Sequence, residues 1–300
     1  MCPASLHRAV ACAAACIFPY VSADGFSRGS SKDTVMEDLL AVCAPTRLPA
    51  IPFTRLAELV FPEQTNHHGT LFGGASLALM DRAAYIAATR LTRRKMVTAG
   101  FDGVEFGRPV LPGELAEVTA TVRKTGRSSV VFDVELLAEN LLTGERERAV
   151  GGTIAMVAQG KHDDEPLPML VAAPPPHPGL TSFVEVVFPD AANHRDILFG
   201  GNALAMMGKA AFIAATRHCH QTVVMAASER IDFRAPVKVG AFADVTARIV
   251  MTGRSSICVE VELVAEEALS GERELSARGR FVMVAIGGNG RPVAVPPRAI

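Results

Sequence analysis

Asp81 is the only acid in a run of Ala, Leu and Met from Ala75 to Arg90, which makes it the first candidate for chemistry. A carboxylate set among Leu79, Met80, Ala83 and Ala84 is costly to desolvate. It must therefore be paired, hydrogen-bonded, or used as a base or nucleophile. The plainer alternative is an exposed strip on which Asp81 pairs with Arg82. Upstream lie Gly73-Gly74 and, seven residues before Gly73, Asn66. Glycines that open a helix leave backbone amides without intrahelical partners at the positive end of the helix dipole, where an anion or a developing oxyanion can sit. A plain tight turn would use the same pair. An asparagine both donates and accepts, though turns use it too.

The chain then repeats itself. Shifted by 127 residues, Val60–Val157 falls on Val187–Val284 without a gap and with about half the positions identical. Asn66 and Gly73-Gly74 meet Asn193 and Gly200-Gly201, but Asp81 meets Gly208. A glycine inside a helix costs roughly 1 kcal/mol against alanine, so the second copy has lost both the acid and a helix former. Thr125-Gly126-Arg127-Ser128-Ser129 returns as Thr252-Gly253-Arg254-Ser255-Ser256. An arginine with two hydroxyls suits a phosphate; a hairpin loop accounts for it equally well.

These residues need elements to position them. Ala75–Arg90 and Asn202–Arg217 hold strong helix formers, no proline and apolar residues nearly all round, which predicts two buried helices. Strands follow at Leu115–Lys124, Ser128–Glu139 and Glu147–Ala158, and in copy two at Ile257–Leu263 and Glu274–Ile286. Their apolar and acidic residues alternate, and Thr143-Gly144 and Ser270-Gly271 mark hairpin turns. The expected fold class is α+β: two tandem domains, each a long helix wrapped by an antiparallel sheet. The expected divisions are an extension at 1–50, domains at 51–162 and 180–290, a linker at 163–179 with six prolines from Glu165 to Pro178, and a tail at 291–300. Within 1–50, Arg8, the apolar run Ala9–Ile17, Pro19 and a Ser/Gly-rich patch fit either a targeting segment or an unstructured extension, with Met36 as an alternative start.

Composition narrows the function classes. With 30 basic and 31 acidic side chains the net charge is −1, so no overall field draws the chain to nucleic acid or anionic lipid. No apolar stretch reaches the ~18 to 20 residues of a membrane span, and no membrane insertion is expected. Four of the six cysteines precede residue 44, which is no disulfide framework. No CxxC or zinc-ligand spacing occurs, so no metal site is expected. The sequence also lacks a Gly-x-Ser-x-Gly elbow, a Walker A loop and a dinucleotide fingerprint.

Asp81 lies about eight residues into its helix, ~12 Å from the mouth at 1.5 Å per residue, too deep to serve that mouth. Two domains side by side about a pseudo-twofold axis would instead bring it to Asn193 and Gly200, leaving Asn66 and Gly73 opposite Gly208. One working and one vestigial site per chain follow.

Taken together, Asn-x(6)-Gly-Gly-x(6)-Asp, Phe106-x-x-Pro109-Val110 (Phe233, Pro236 and Val237 in copy two) and the Gly-Arg-Ser-Ser loops resemble the hotdog-fold acyl-CoA thioesterases, in their tandem form. The resemblance implies that acyl-CoA lies at the domain interface and that coenzyme A is part of the substrate, with no separate cofactor. It implies Asp81 as nucleophile or general base, Gly200 as amide donor to the thioester oxygen, and Asn193 as the group positioning water or carbonyl. Gly201, Arg127, Ser128, Ser129, Arg254, Ser255 and Ser256 would bind substrate, while Asn66, Gly73 and Gly208 would form the vestigial site. A trimer of the chain and a cytoplasmic location are expected. Competing readings are a non-enzymatic acyl-CoA sensor and a hotdog hydratase or dehydratase using His67 or His194.

Overall fold

The computed structural model describes residues 51–160, 166–167, 169–171, 173–177 and 179–297. The expectations for 1–50, and those for part of the linker and the last three residues, fall outside them. In the first unit, β1 (Arg55–Leu59) precedes α1 (Gly73–Thr92), followed by β2 (Met96–Phe106), β3 (Leu115–Thr125), β4 (Ser129–Glu139) and β5 (Arg146–Ala158). The second unit has β6 (Thr181–Val186), α2 (Gly200–Cys219), β7 (Val223–Ser228), β8 (Asp232–Phe233), β9 (Phe242–Thr252), β10 (Ser256–Glu266) and β11 (Arg273–Ala285). Both sheets are antiparallel, in the orders β1-β3-β4-β5-β2 and β6-β9-β10-β11-β7, with β8 pairing β11. A helix wrapped by an antiparallel sheet, twice over, is the expected hotdog arrangement. Sequence patterning gave no range for β1, β2, β6, β7, β8 or β9, although β9 repeats β3 at the 127-residue offset. The residues of β2 are exposed along nearly their whole length, so no inward face leaves an alternating pattern.

The alternation in β4 works as read: Val130, Phe132, Val134 and Leu136 are fully buried and Asp133 and Glu135 exposed. The helices begin two residues earlier than expected, with the glycine pairs as their first turns. Their burial is uneven, which corrects the expectation of helices buried all round. In α1 it is nearly continuous from Ala83 onward, but only partial in the first turns, where Asp81 lies half-buried. The linker is laid along the first unit: the Leu167 amide donates to the Arg127 carbonyl and the Leu170 amide to that of Leu91. The described tail returns to the second unit, with Val293 and Val295 packed on its core.

The two units share their interiors. Val184, Phe242 and Ala268 of the second unit belong to the first core, and Leu115 and Leu141 of the first belong to the second. Reciprocal charge clusters pin this arrangement. Arg90, fully buried at the end of α1, reaches across to Asp244 (2.7 Å) and Glu266 (2.9 Å). Its counterpart Arg217 on α2 reaches back to Glu117 (2.9 Å) and Glu139 (2.6 Å). Arg273 and Arg146 close the two clusters on Asp244 and Glu117. Both helices then end on a left-handed, non-glycine residue, Arg93 (φ 50°) and His220 (φ 51°), a costly conformation held by further crossings. Arg93 donates to Glu266 and to the Ala268 carbonyl, and a His220 ring nitrogen lies 3.1 Å from the Leu141 carbonyl.

Removing one partner of a buried ion pair strands the other charge, at a cost of about 3–5 kcal/mol. Arg90→Met should therefore lower the denaturant-derived stability of the full chain by that order, and Arg90→Lys by less. A loss under about 1 kcal/mol for Arg90→Met would show that the cluster does not hold the interface.

Candidate active site

Asp81 does not pair with Arg82, which rules out the plain surface-pair reading. Its Oδ1 accepts a 2.5 Å hydrogen bond from the Thr98 hydroxyl on β2, while the Arg82 guanidinium lies 5.7 Å over the Phe188 ring of the second unit. Thr98 went unnoticed in the sequence, yet the repeat holds its signal: the residue 127 positions on is Met225. The acid and its hydroxyl partner are thus missing from copy two together. A Cβ placed on Gly208 would stand 3.0 Å from the Met225 methyl, so methionine fills the corner that the carboxylate occupies in copy one.

The face of α1 that bears Asp81 looks toward the second unit. Tyr85, one turn along on the same face, meets Phe242 edge-on at 6.2 Å, and Arg82 covers Phe188. Phe188 leads into the turn Pro189–Ala191 that ends just before Asn193. On the opposite side Gly208 and Phe212 of α2 line a cavity with Glu58, Leu59 and Phe61 of the first unit. Each helix therefore faces the other unit's segment ahead of its asparagine. Among the described residues, however, Asp81 makes no hydrogen bond to Asn193 or Gly200.

Both helix mouths are built alike. The Leu198 amide donates to Val237 and the Leu71 amide to Val110, which ties the Phe-x-x-Pro-Val segments to the helix starts. Gly200 borders a cavity of about 300 Å³ with Phe233, Arg234 and Pro236; Asn66 borders the matching one of about 310 Å³ with Phe106 and Pro109. Gly73 packs under Phe106, whose ring would touch an added Cβ at 3.5 Å. No side chain caps either helix, and the first amides to close a turn are Ala75 and Asn202, both onto phenylalanine carbonyls. The amides of Gly200 and Gly201 thus remain free of partners among the described residues, as an oxyanion site needs.

The asparagines differ in their surroundings. Asn66 Oδ1 accepts from the His68 amide at 2.8 Å and its NH2 group donates to Thr70. Asn193 Oδ1 accepts from the Arg195 amide at 2.8 Å, but Ile197 stands where Thr70 does, and no described residue receives the Asn193 NH2 group. His67 packs at a tilt against His68 in an exposed loop and His194 is exposed as well, so neither sits as a buried acid–base partner of Asp81. The loops holding Arg127 and Arg254 are tight hairpins closed from Gly126 to Ser129 and from Gly253 to Ser256, which gives these glycines and serines a turn-making role whatever else they bind.

Lys209, the counterpart of Arg82, breaks the symmetry further. Its ammonium lies between Glu58 (2.9 Å) and Glu185 (2.6 Å), two residues that are themselves repeat partners. One cation thus bridges a carboxylate from each unit where β1 and β6 come together.

The Thioesterase superfamily model matches residues 68–145 and 196–271, once in each unit, and the chain belongs to that superfamily. A crystal structure of an acyl-CoA hydrolase from Agrobacterium tumefaciens is 43% identical, with a TM-score of 0.74, over 82% of this chain and all of that one. The cytosolic acyl coenzyme A thioester hydrolase of Rattus norvegicus is 24% identical over 80% of this chain and 76% of its own length. An acyl-CoA thioester hydrolase of Bacillus subtilis, described as uncharacterized, is 40% identical over 33% of this chain and 58% of its own.

Burial pulls the Lys209 amine downward, but the carboxylates of Glu185 and Glu58 outweigh it and hold it above its ordinary 10.5. A raised value means that the stabilisation is complete below the unfolded-state value and fades as pH climbs through the folded one. Lys209→Met should cost roughly 1–3 kcal/mol at neutral pH, the lower part reflecting partial solvent access. The difference in denaturation midpoint between wild type and variant should stay constant up to about pH 10 and shrink above it. A gap that widens there would contradict the pairing.

Proposed function

We propose that this chain is an acyl-CoA thioester hydrolase with one working site, shared between its two units. The observation that carries the reading is the Asp81–Thr98 pair on a helix face turned toward the other unit, with both partners replaced in copy two. Three relatives, from Agrobacterium tumefaciens, Bacillus subtilis and Rattus norvegicus, carry acyl-CoA hydrolase names, and this supports the substrate class.

In the proposed reaction the thioester carbonyl lies between Asp81 and the mouth of α2. Asp81 takes a proton from an attacking water, or attacks the carbonyl itself, and the Thr98 hydroxyl fixes its carboxylate orientation. The amide of Gly200, next to that of Gly201, receives the oxyanion, and the free amide group of Asn193 holds the water or the carbonyl. With water as nucleophile, collapse breaks the C–S bond, the proton taken by Asp81 passes to the leaving thiolate, and a carboxylic acid and the coenzyme A thiol are released. With Asp81 as nucleophile, C–S cleavage leaves an acyl–Asp81 anhydride, which a water then hydrolyses to the carboxylic acid while supplying the thiol's proton. Arg127, Ser128 and Ser129, with Arg254, Ser255 and Ser256, are the proposed contacts for the coenzyme's phosphates. No cofactor is required beyond the coenzyme A that the substrate brings.

The proposed assembly is a trimer of the chain; the long, exposed edge strand β2, with Val97, Phe101 and Phe106 open to solvent, favours association. No described helix is long and apolar enough to cross a membrane. The proposed location is the cytoplasm, in keeping with the cytosolic hydrolase of Rattus norvegicus.

Thiol release from a panel of acyl-CoAs tests the reading directly. Asp81→Asn should lower kcat by about 10²-fold or more, the scale of a lost general base or nucleophile. Retained turnover would remove Asp81 from the mechanism, and tight acyl-CoA binding without any turnover by wild type would favour a sensor. Asn193→Ala should reduce kcat far more than Asn66→Ala, and equal losses would refute the shared site. Light scattering should report three 31.7 kDa chains per particle; a monomer would exclude the trimer.

A further inference from the structure

The acid-free side of the interface is not closed. A cavity of about 790 Å³ opens there against α2, walled by Leu59 and Phe61 of the first unit and by Ala205, Met206 and Phe212 of the second. That is within the size of small-molecule sites, which run from about 300 to 1,000 Å³. Its charged residues are Lys209, the carboxylates Glu58 and Glu185 that its ammonium bridges, and Asp190, which is exposed. The remaining wall is mainly apolar, and Gly208 adds no side chain of its own to it.

What copy two has lost and what the opposite half-site has kept point the same way. The losses are the two side chains that do chemistry, Asp81 becoming Gly208 and Thr98 becoming Met225. The Met225 methyl lies where a carboxylate-bearing side chain would start, which turns a polar corner into more apolar wall. The groups that would hold a thioester persist on the facing unit: Asn66, Gly73-Gly74 and Phe106 at the mouth of α1, and the Gly126–Ser129 loop. A site abandoned altogether would more simply be filled by large side chains, since packed interiors tolerate few voids of this size.

We infer that the interface at Gly208 is a second acyl-CoA site, which takes the acyl chain into the Phe61–Phe212 cavity and holds the thioester without hydrolysing it. The inference rests on the acyl-CoA reading proposed above. Chemical silence is expected because no carboxylate stands at position 208, Met225 has no hydroxyl to orient one, and of the carboxylates that line the cavity Glu58 and Glu185 are bound to Lys209 while Asp190 is exposed on the Pro189–Ala191 turn.

The test is the stoichiometry of S-dodecyl coenzyme A, a thioether that cannot be hydrolysed, titrated calorimetrically into the full chain. Two molecules per chain are expected for wild type and one for Ala205→Trp, whose indole enters the cavity from an exposed position. Phe61→Ser provides a second variant and should weaken one of the two binding steps tenfold or more while sparing the other. One molecule per wild-type chain, or two steps unaffected by both variants, overturns the inference and leaves the catalytic reading standing. No binding by any form would instead sink the acyl-CoA reading itself.

Discussion

The guanidinium of Arg90 is buried and lies within 3 Å of two carboxylates of the other unit, while Arg217 repeats the contact in reverse. A cation taken fully out of water is tolerable only when its partners are placed to meet it. Because those partners lie on β9 and β10 for Arg90 and on β3 and β4 for Arg217, the two units have one relative placement that satisfies both clusters. The shared cores add apolar area to the same arrangement, with Phe242 and Tyr85 meeting across it. Each helix is thereby fixed at its C-terminal end against the opposite sheet, and its first turns are carried to the opposite loop.

This division of labour within one helix explains its uneven burial. The half of α1 from Ala83 to Thr92 serves packing and anchoring, and its residues are almost all inaccessible. The half from Gly73 to Asp81 is more open, and there the free amides, the carboxylate and its hydroxyl partner lie. A site built at the loose end of a rigidly anchored element can admit a ligand while its groups stay within hydrogen-bond tolerance. The same anchoring lets copy two drift. Arg217 holds α2 in place whatever stands at position 208, so glycine and methionine replaced acid and threonine without disturbing the frame. Lys209 then took a structural part that Arg82 does not play, bridging Glu58 and Glu185.

Asymmetry within a symmetric frame also bears on how the interface responds to solvent. The Arg clusters are held by guanidinium groups, a side-chain type that proteins do not deprotonate. The Lys209 bridge rests on an ammonium, whose charge is lost at alkaline pH. The two kinds of contact therefore respond to alkali differently, and the Gly208 side is the one that should loosen first.

Much of this was legible in the residues alone. The 127-residue repeat, the solitary Asp81, its replacement by Gly208 and the strand alternation around Phe132 are local or periodic facts, and a helix wrapped by an antiparallel sheet, twice over, follows from them; the resemblance added the hotdog fold. Six strands were given no range: β2 has no inward face to leave an alternating pattern, β1 and β6 are short edge strands, β7 and β8 are short, and β9 could have been carried over from β3 by the repeat. Nor could sequence reveal that Thr98 touches Asp81, since a hydrogen bond across 17 residues depends on how β2 returns alongside α1. Arg90 and Arg217 looked like ordinary helix ends; only in three dimensions do carboxylates more than 70 residues away become their partners. The sequence by itself determined which groups are present, how often, and where one copy departs from the other. The tertiary structure decided which of them meet, because proximity between distant segments is set by the buried charges and shared cores that join the two units, and no spacing along the chain encodes that distance.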